Sequence, residues 1–185
     1  LCQRIYHKHQ RALDLIYEYR PDLQAAIREV LKHLIEETPG FIQDYSTKTY
    51  IRLLPEDWDV PALQGGEGWT PSGRMLLFEF ENAPTSLKFR LVIGPGPQEI
   101  RRRLFGMIST STVLRRYRRL AAKWNTIFVR TFLKSKHYEG VSINELEPEI
   151  RKGWGQFLEN DLPKIKEAAR AEEWIWETGS EGECV

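Results

Sequence analysis

The strongest constraint on the fold is a pair of alternating runs joined by a short turn-forming stretch. Residues 75–81 set Leu76, Phe78 and Phe80 against Glu79 and Glu81, and residues 87–93 set Leu87, Phe89, Leu91 and Ile93 against Lys88 and Arg90. A period of two puts the apolar members of each run on one face of a strand. With Asn82-Ala83-Pro84-Thr85-Ser86 between them, the runs predict an antiparallel hairpin with one apolar and one charged face. Opposite signs across the charged face, Glu79 and Glu81 against Arg90 and Lys88, fix the register. Such a hairpin needs further strands and a covering layer to bury its apolar side.

The rest of the chain supplies both. Tyr50 to Leu54 reads as a strand, and Thr126 to Leu133, rich in β-branched and aromatic residues, predicts another in the same sheet. Ile5, Ala12, Leu13, Ile16 and Tyr19 recur at helical intervals before Arg20-Pro21 interrupts the pattern. Leu23, Ala26, Ile27, Val30, Leu31, Leu34 and Ile35 then form the clearest apolar stripe. After Gly94-Pro95-Gly96-Pro97, Ile100, Leu104 and Ile108 predict a helix, and a second helical segment is expected beyond Ser109-Thr110-Ser111-Thr112 as far as Trp124. Ser142 and Glu145 have the spacing of a capping box, followed by a stripe of Ile150, Trp154, Phe157, Leu158, Leu162 and Ile165. The stretch from Pro55 to Gly73, with Gly65-Gly66-Glu67-Gly68, reads as a mobile loop. The expected fold is α+β: an antiparallel sheet of about four strands, with an N-terminal helical hairpin and C-terminal helices packed against it. Residues 1–176 are expected to form a single domain, and residues 177–185 a polar acidic tail.

Length and composition narrow the class. A chain of 185 residues, 41% hydrophobic, buries one substantial core. No apolar run reaches the roughly 18 residues of a membrane span, so no membrane partner is expected. Cys2 and Cys184 are too few for a disulfide framework and lack metal-ligand spacing, which points to a reducing, cytoplasmic setting. The chain opens at Leu1 inside a helical pattern, without an initiator Met, and so reads as cut from a larger protein. A net charge of +1, from 27 basic and 26 acidic residues, gives no global pull toward a polyanion, so only local clusters bear on partners.

The leading cluster is Arg115, Arg116, Arg118, Arg119 and Lys123, which on a helix would oppose a face of Val113, Leu114, Tyr117, Leu120, Ala121 and Trp124. Arg101, Arg102 and Arg103 before it, and Arg130, Lys134 and Lys136 after it, would extend a phosphate-contacting surface. The plainer reading of the same pattern is a solvated helix face. Asp57, Asp59, Glu79, Glu81 and Lys88 are the residue types of a metal-dependent nuclease, in which carboxylates hold the ion and a lysine orients water. Glu79-Phe80-Glu81 lacks lysine at the third position, so cross-strand ion pairing accounts for these residues. Neither a metal site nor a catalytic residue is therefore assigned to this chain. His7, His9, His33 and His137 lack zinc spacing. In Gly94-Pro95-Gly96-Pro97 two prolines remove N–H donors and Glu99 adds negative charge, which predicts punctuation between strand and helix rather than an anion site. Trp154 and Phe157 are expected in the core, whereas Trp174 and Trp176 fit either packing or docking.

Ile5-Tyr6-His7-Lys8-His9-Gln10-Arg11-Ala12-Leu13-Asp14-Leu15-Ile16 and Tyr19-Arg20-Pro21-Asp22 resemble the segment that follows the nuclease core in a bacterial branch of the PD-(D/E)XK nuclease superfamily. Leu53-Leu54-Pro55 with Trp58, Leu91-Val92-Ile93-Gly94-Pro95-Gly96, and the stretch from Trp154 to Leu162 look like that branch's C-terminal region. The resemblance implies a non-catalytic accessory domain of a defence-related DNA nuclease, whose magnesium-binding core lies upstream. It implies nucleic acid and the upstream nuclease domain as partners. Two other readings stand beside it: a protein-interaction or oligomerisation module using the terminal helices, Trp174 and Trp176, and a diverged metal-dependent nuclease.

Overall fold

The structure is a computed structural model that describes residues 2–18, 22–115 and 119–172. Five strands form one antiparallel sheet in sequence order: β1 (Phe41–Gln43), β2 (Tyr50–Pro55), β3 (Leu76–Ala83), β4 (Ser86–Ile93) and β5 (Asn125–Leu133). The hairpin has the expected register, with Glu79 opposite Arg90 and Glu81 opposite Lys88. Pro84-Thr85 makes its turn, tighter than the five-residue connection expected from sequence. The unexpected strand is β1, too short for its alternation to stand out.

Helix α2 (Leu23–Glu36), helix α3 (Gln98–Thr110), helix α4 (Ile143–Gln156) and helix α5 (Leu162–Arg170) supply the covering layer. Asp22 caps α2 by accepting from the Ala25 amide, and the Ser142–Glu145 capping box starts α4 as expected. A π-type turn over Phe157–Asp161 joins α4 to α5. Phe78, Phe80 and Phe89 meet Trp154 and Phe157, with ring centroids 4.8 Å apart for Phe89–Phe157 and 5.5 Å for Phe89–Trp154. Trp154 and Phe157 are thus core residues. The Trp154 indole donates to Thr38 Oγ1 at 2.9 Å, tying α4 to the end of α2. Buried Asn82 donates to the carbonyls of Gln24 and Lys48, which pins the start of α2 to the hairpin.

The fold is α+β as expected, with helices at both ends of the chain. Helix α1 (Cys2–Glu18) forms, but residues 2–15 are all exposed, including Ile5, Tyr6, Leu13 and Leu15. Tyr19 and the Arg20-Pro21 interruption lie outside the described residues, as do Trp174, Trp176, Cys184 and the tail at 177–185. No helix among the described residues is long and apolar enough to cross a membrane.

Two sequence expectations are corrected. Residues 56–74 are not a plain loop: two short helical turns at Glu56–Trp58 and Pro61–Leu63 and a bridge between Gln64 and Arg74 organise them into a lobe. Residues 111–115 and 119–124 are irregular rather than helical. The alternation of basic and apolar residues there imitates a helical period, but the backbone is fixed by a partner distant in sequence, described below.

Candidate functional site

Helices cover one face of the sheet; the opposite face carries a charged row built by the register. Arg52 on β2 pairs with Glu79 on β3, Glu79 with Arg90 on β4, and Arg90 with Val129 on β5. Arg52 Nε donates to Glu79 Oε2 at 3.2 Å and Arg90 Nη2 donates to Glu79 Oε1 at 2.6 Å. Arg90 Nη1 also lies 3.2 Å from Glu81 Oε2. Glu79 is 4% exposed and Arg52 7%, so this carboxylate is desolvated and both its oxygens are committed to guanidinium groups.

Aromatic rings position these cations. The Arg52 guanidinium lies 5.2 Å from the Tyr50 ring centroid and 5.6 Å from that of Trp69, and the Arg90 guanidinium lies 5.8 Å from Tyr50. Trp69 is carried by the 56–74 lobe and rests on Gly94: a Cβ built there would lie 2.1 Å from Trp69 Cε3. Gly94 therefore does more than punctuate strand and helix. The lobe is stapled by Arg74, which donates to both oxygens of Asp59, at 2.9 and 2.8 Å, and to Asp44 Oδ2 at 2.8 Å. Those hydrogen bonds hold the Asp59 carboxyl below the ordinary aspartate range.

Together these residues form a groove of about 340 Å³. Tyr50, Trp69 and Trp124 supply its aromatic walls and Arg52, Glu79 and Arg90 its polar floor. Trp124 is 49% exposed, and the Lys123 ammonium lies 5.7 Å from its ring centroid.

Trp124 ends the basic segment, and Arg101 holds the three residues before it. Arg101 was expected to contact nucleic acid, but it is 3% exposed and its side chain turns inward. Its Nε donates to the Gly94 carbonyl at 2.9 Å, its Nη1 to Ala122 at 2.8 Å, and its Nη2 to Ala121 and Lys123, both at 2.9 Å, and to Asn125 Oδ1 at 3.3 Å. Desolvation lowers its pKa from the usual arginine value. Non-helical backbone exposes carbonyls that an α-helix would satisfy internally, and Arg101 satisfies three consecutive ones.

The other expected contact residues divide. Arg102, Arg115, Arg119 and Lys123 are exposed, and the Arg115 amide bonds the Ile127 carbonyl at 2.6 Å, holding the segment against β5. Arg116 and Arg118 lie outside the described residues. Arg103 pairs with Glu99 at 3.2 Å. Arg130 pairs with Asp161 and Gln156 on the helical side, so it does not extend the basic surface into the groove.

The four candidate carboxylates are each engaged by a cation: Asp57 by Lys166 at 2.9 Å, Asp59 by Arg74, Glu79 by Arg52 and Arg90, and Glu81 by Arg90. No metal-ligating group of three or more His, Cys, Asp or Glu occurs among the described residues.

Compared with family models, curated proteins and solved structures, the chain finds no match. The site must therefore be read from its own chemistry: planar cations and the exposed indole of Trp124, suited to holding a flat or anionic group. Sequence reasoning missed Tyr50, Arg52 and Trp69. Only the i, i+2 placement of Tyr50 and Arg52 opposite Glu81 and Glu79 signals two of them, once β2 is paired with β3.

Proposed function

We propose that this chain is a non-catalytic accessory domain that contacts nucleic acid through the segment ending at Trp124, in the service of a PD-(D/E)XK-type nuclease. The nuclease context rests on the sequence resemblance, and magnesium belongs to the upstream core in this reading. The supporting observation is the Arg101 carbonyl cage, which fixes residues 121–123 beside an arginine-floored groove while Arg115, Arg119 and Lys123 remain exposed. From Ser111 to Trp124 the sequence carries five basic residues and no acidic one. That is a phosphate-facing electrostatic footprint inside a chain of nearly balanced charge. Fluorescence anisotropy with a labelled oligonucleotide at low salt, in EDTA, tests it. Binding is expected, and Arg115→Glu, Arg119→Glu and Lys123→Glu combined should abolish it. No binding by the parent chain, or unchanged binding by the triple variant, would contradict the proposal.

The exposed apolar side chains of α1 favour a second reading, a protein-interaction or oligomerisation module. It predicts a mass above the monomer by light scattering, reduced by Leu13→Lys and Leu15→Lys.

A further inference from the structure

We infer that the groove between Trp69 and Trp124 receives one unpaired base of a single-stranded nucleic acid, stacked on Trp124 with its flanking phosphate directed to Arg52 and Lys123. The inference rests on the nucleic-acid reading above and adds to it the strandedness of the ligand.

Four observations converge. First, Trp124 is, among the described residues, the one tryptophan in the set of large, strongly exposed apolar side chains, 49% accessible at the edge of a concavity rather than on a flat surface. An indole face in such a place is a stacking platform that accepts any base. Second, the groove floor is preset. Arg52 is held by Glu79 and by the Tyr45 carbonyl, and is flanked by the Tyr50 and Trp69 rings. Its Nη2 has no hydrogen-bond partner among the described residues and remains a donor for an acceptor entering the groove. Third, both oxygens of the buried Glu79 are taken by Arg52 and Arg90, and Arg90 also meets Glu81. An aromatic cage for a cation would need the Glu79 carboxylate free, whereas the donor left on Arg52 suits an acceptor. Fourth, Lys123 stands over the Trp124 ring and the exposed Arg115 and Arg119 precede it in the same segment, so a strand tracking those cations delivers a base at the groove. A duplex keeps its bases stacked inside and offers no ring to a recessed pocket, whereas an unpaired base is free to enter.

The test compares a labelled 12-nucleotide oligo(dT) with a duplex of the same length, by anisotropy at one low salt concentration, for the parent chain, Trp124→Ala and Trp124→Phe. The parent is expected to prefer the single strand. Trp124→Ala should weaken single-strand binding by between about fivefold and a hundredfold, with duplex binding unchanged, and Trp124→Phe should restore most of the loss. Circular dichroism of each variant verifies the fold. Equal binding of both ligands, or an equal loss of both in Trp124→Ala, overturns the base pocket while leaving the basic segment as a backbone contact. Failure of the parent to bind either ligand overturns the underlying nucleic-acid reading instead.

Discussion

Arg101 touches none of the proposed ligand, yet the site depends on its shape. A buried guanidinium without a carboxylate partner is tolerated because its donors meet backbone carbonyls in the planar fork geometry that only arginine offers. Arg101→Lys keeps the charge but has one nitrogen for five bonds, so we expect a loss of about 3 kcal/mol in urea unfolding and weaker oligonucleotide binding. Wild-type stability in that variant would show that the cage is incidental. Asp59 gives a pH-dependent test of the lobe. Its folded pKa lies below the reference value of 3.8 because Arg74 donates to both oxygens. The stabilisation is fully present above that reference value and is lost as pH falls through the lower, folded value. Asp59→Asn should therefore destabilise the protein at pH 7 by roughly 1 kcal/mol and little at strongly acid pH. Urea midpoints at the two ends of that range check the sign; a penalty that grows on acidification would contradict it.

Among the elements, the β3–β4 hairpin decides most. Its alternation made both faces and the register legible, because each side chain's face follows from position alone and the charges are complementary. The same register carries the groove floor, so Glu79 is at once a structural and a site residue. Glu79→Gln leaves two guanidinium groups without their shared anion and should cost about 3 kcal/mol, measured by urea unfolding; a neutral effect would mean that solvent already screens the row. The basic segment was not legible for the opposite reason. Its residues have a helical period, but residues 121–123 are held by Arg101, whose donors satisfy their carbonyls 20 to 22 residues away. No local pattern reports a bond of that range. Trp69 was hidden similarly, since its seat is a glycine backbone 25 positions on, created only when the lobe folds over the end of β4.

At the scale of the whole molecule, the sheet separates two kinds of chemistry. One face buries an aromatic and aliphatic core beneath α2, α4 and α5; the other holds charged and aromatic groups between the stapled lobe and the basic segment. The helix-covered half followed from apolar periodicity, whereas the open face depends on contacts between elements distant in sequence. Net charge of +1 conceals this division, which is why the salt response is more informative than affinity alone. The most direct measurement is the slope of log binding constant against log salt for oligo(dT) and the parent chain. Counter-ion release from three to five phosphate contacts on a single strand gives roughly −2 to −4, with a shallower slope for Arg119→Gln. A slope near zero, or one that Arg119→Gln leaves unchanged, would contradict the nucleic-acid reading.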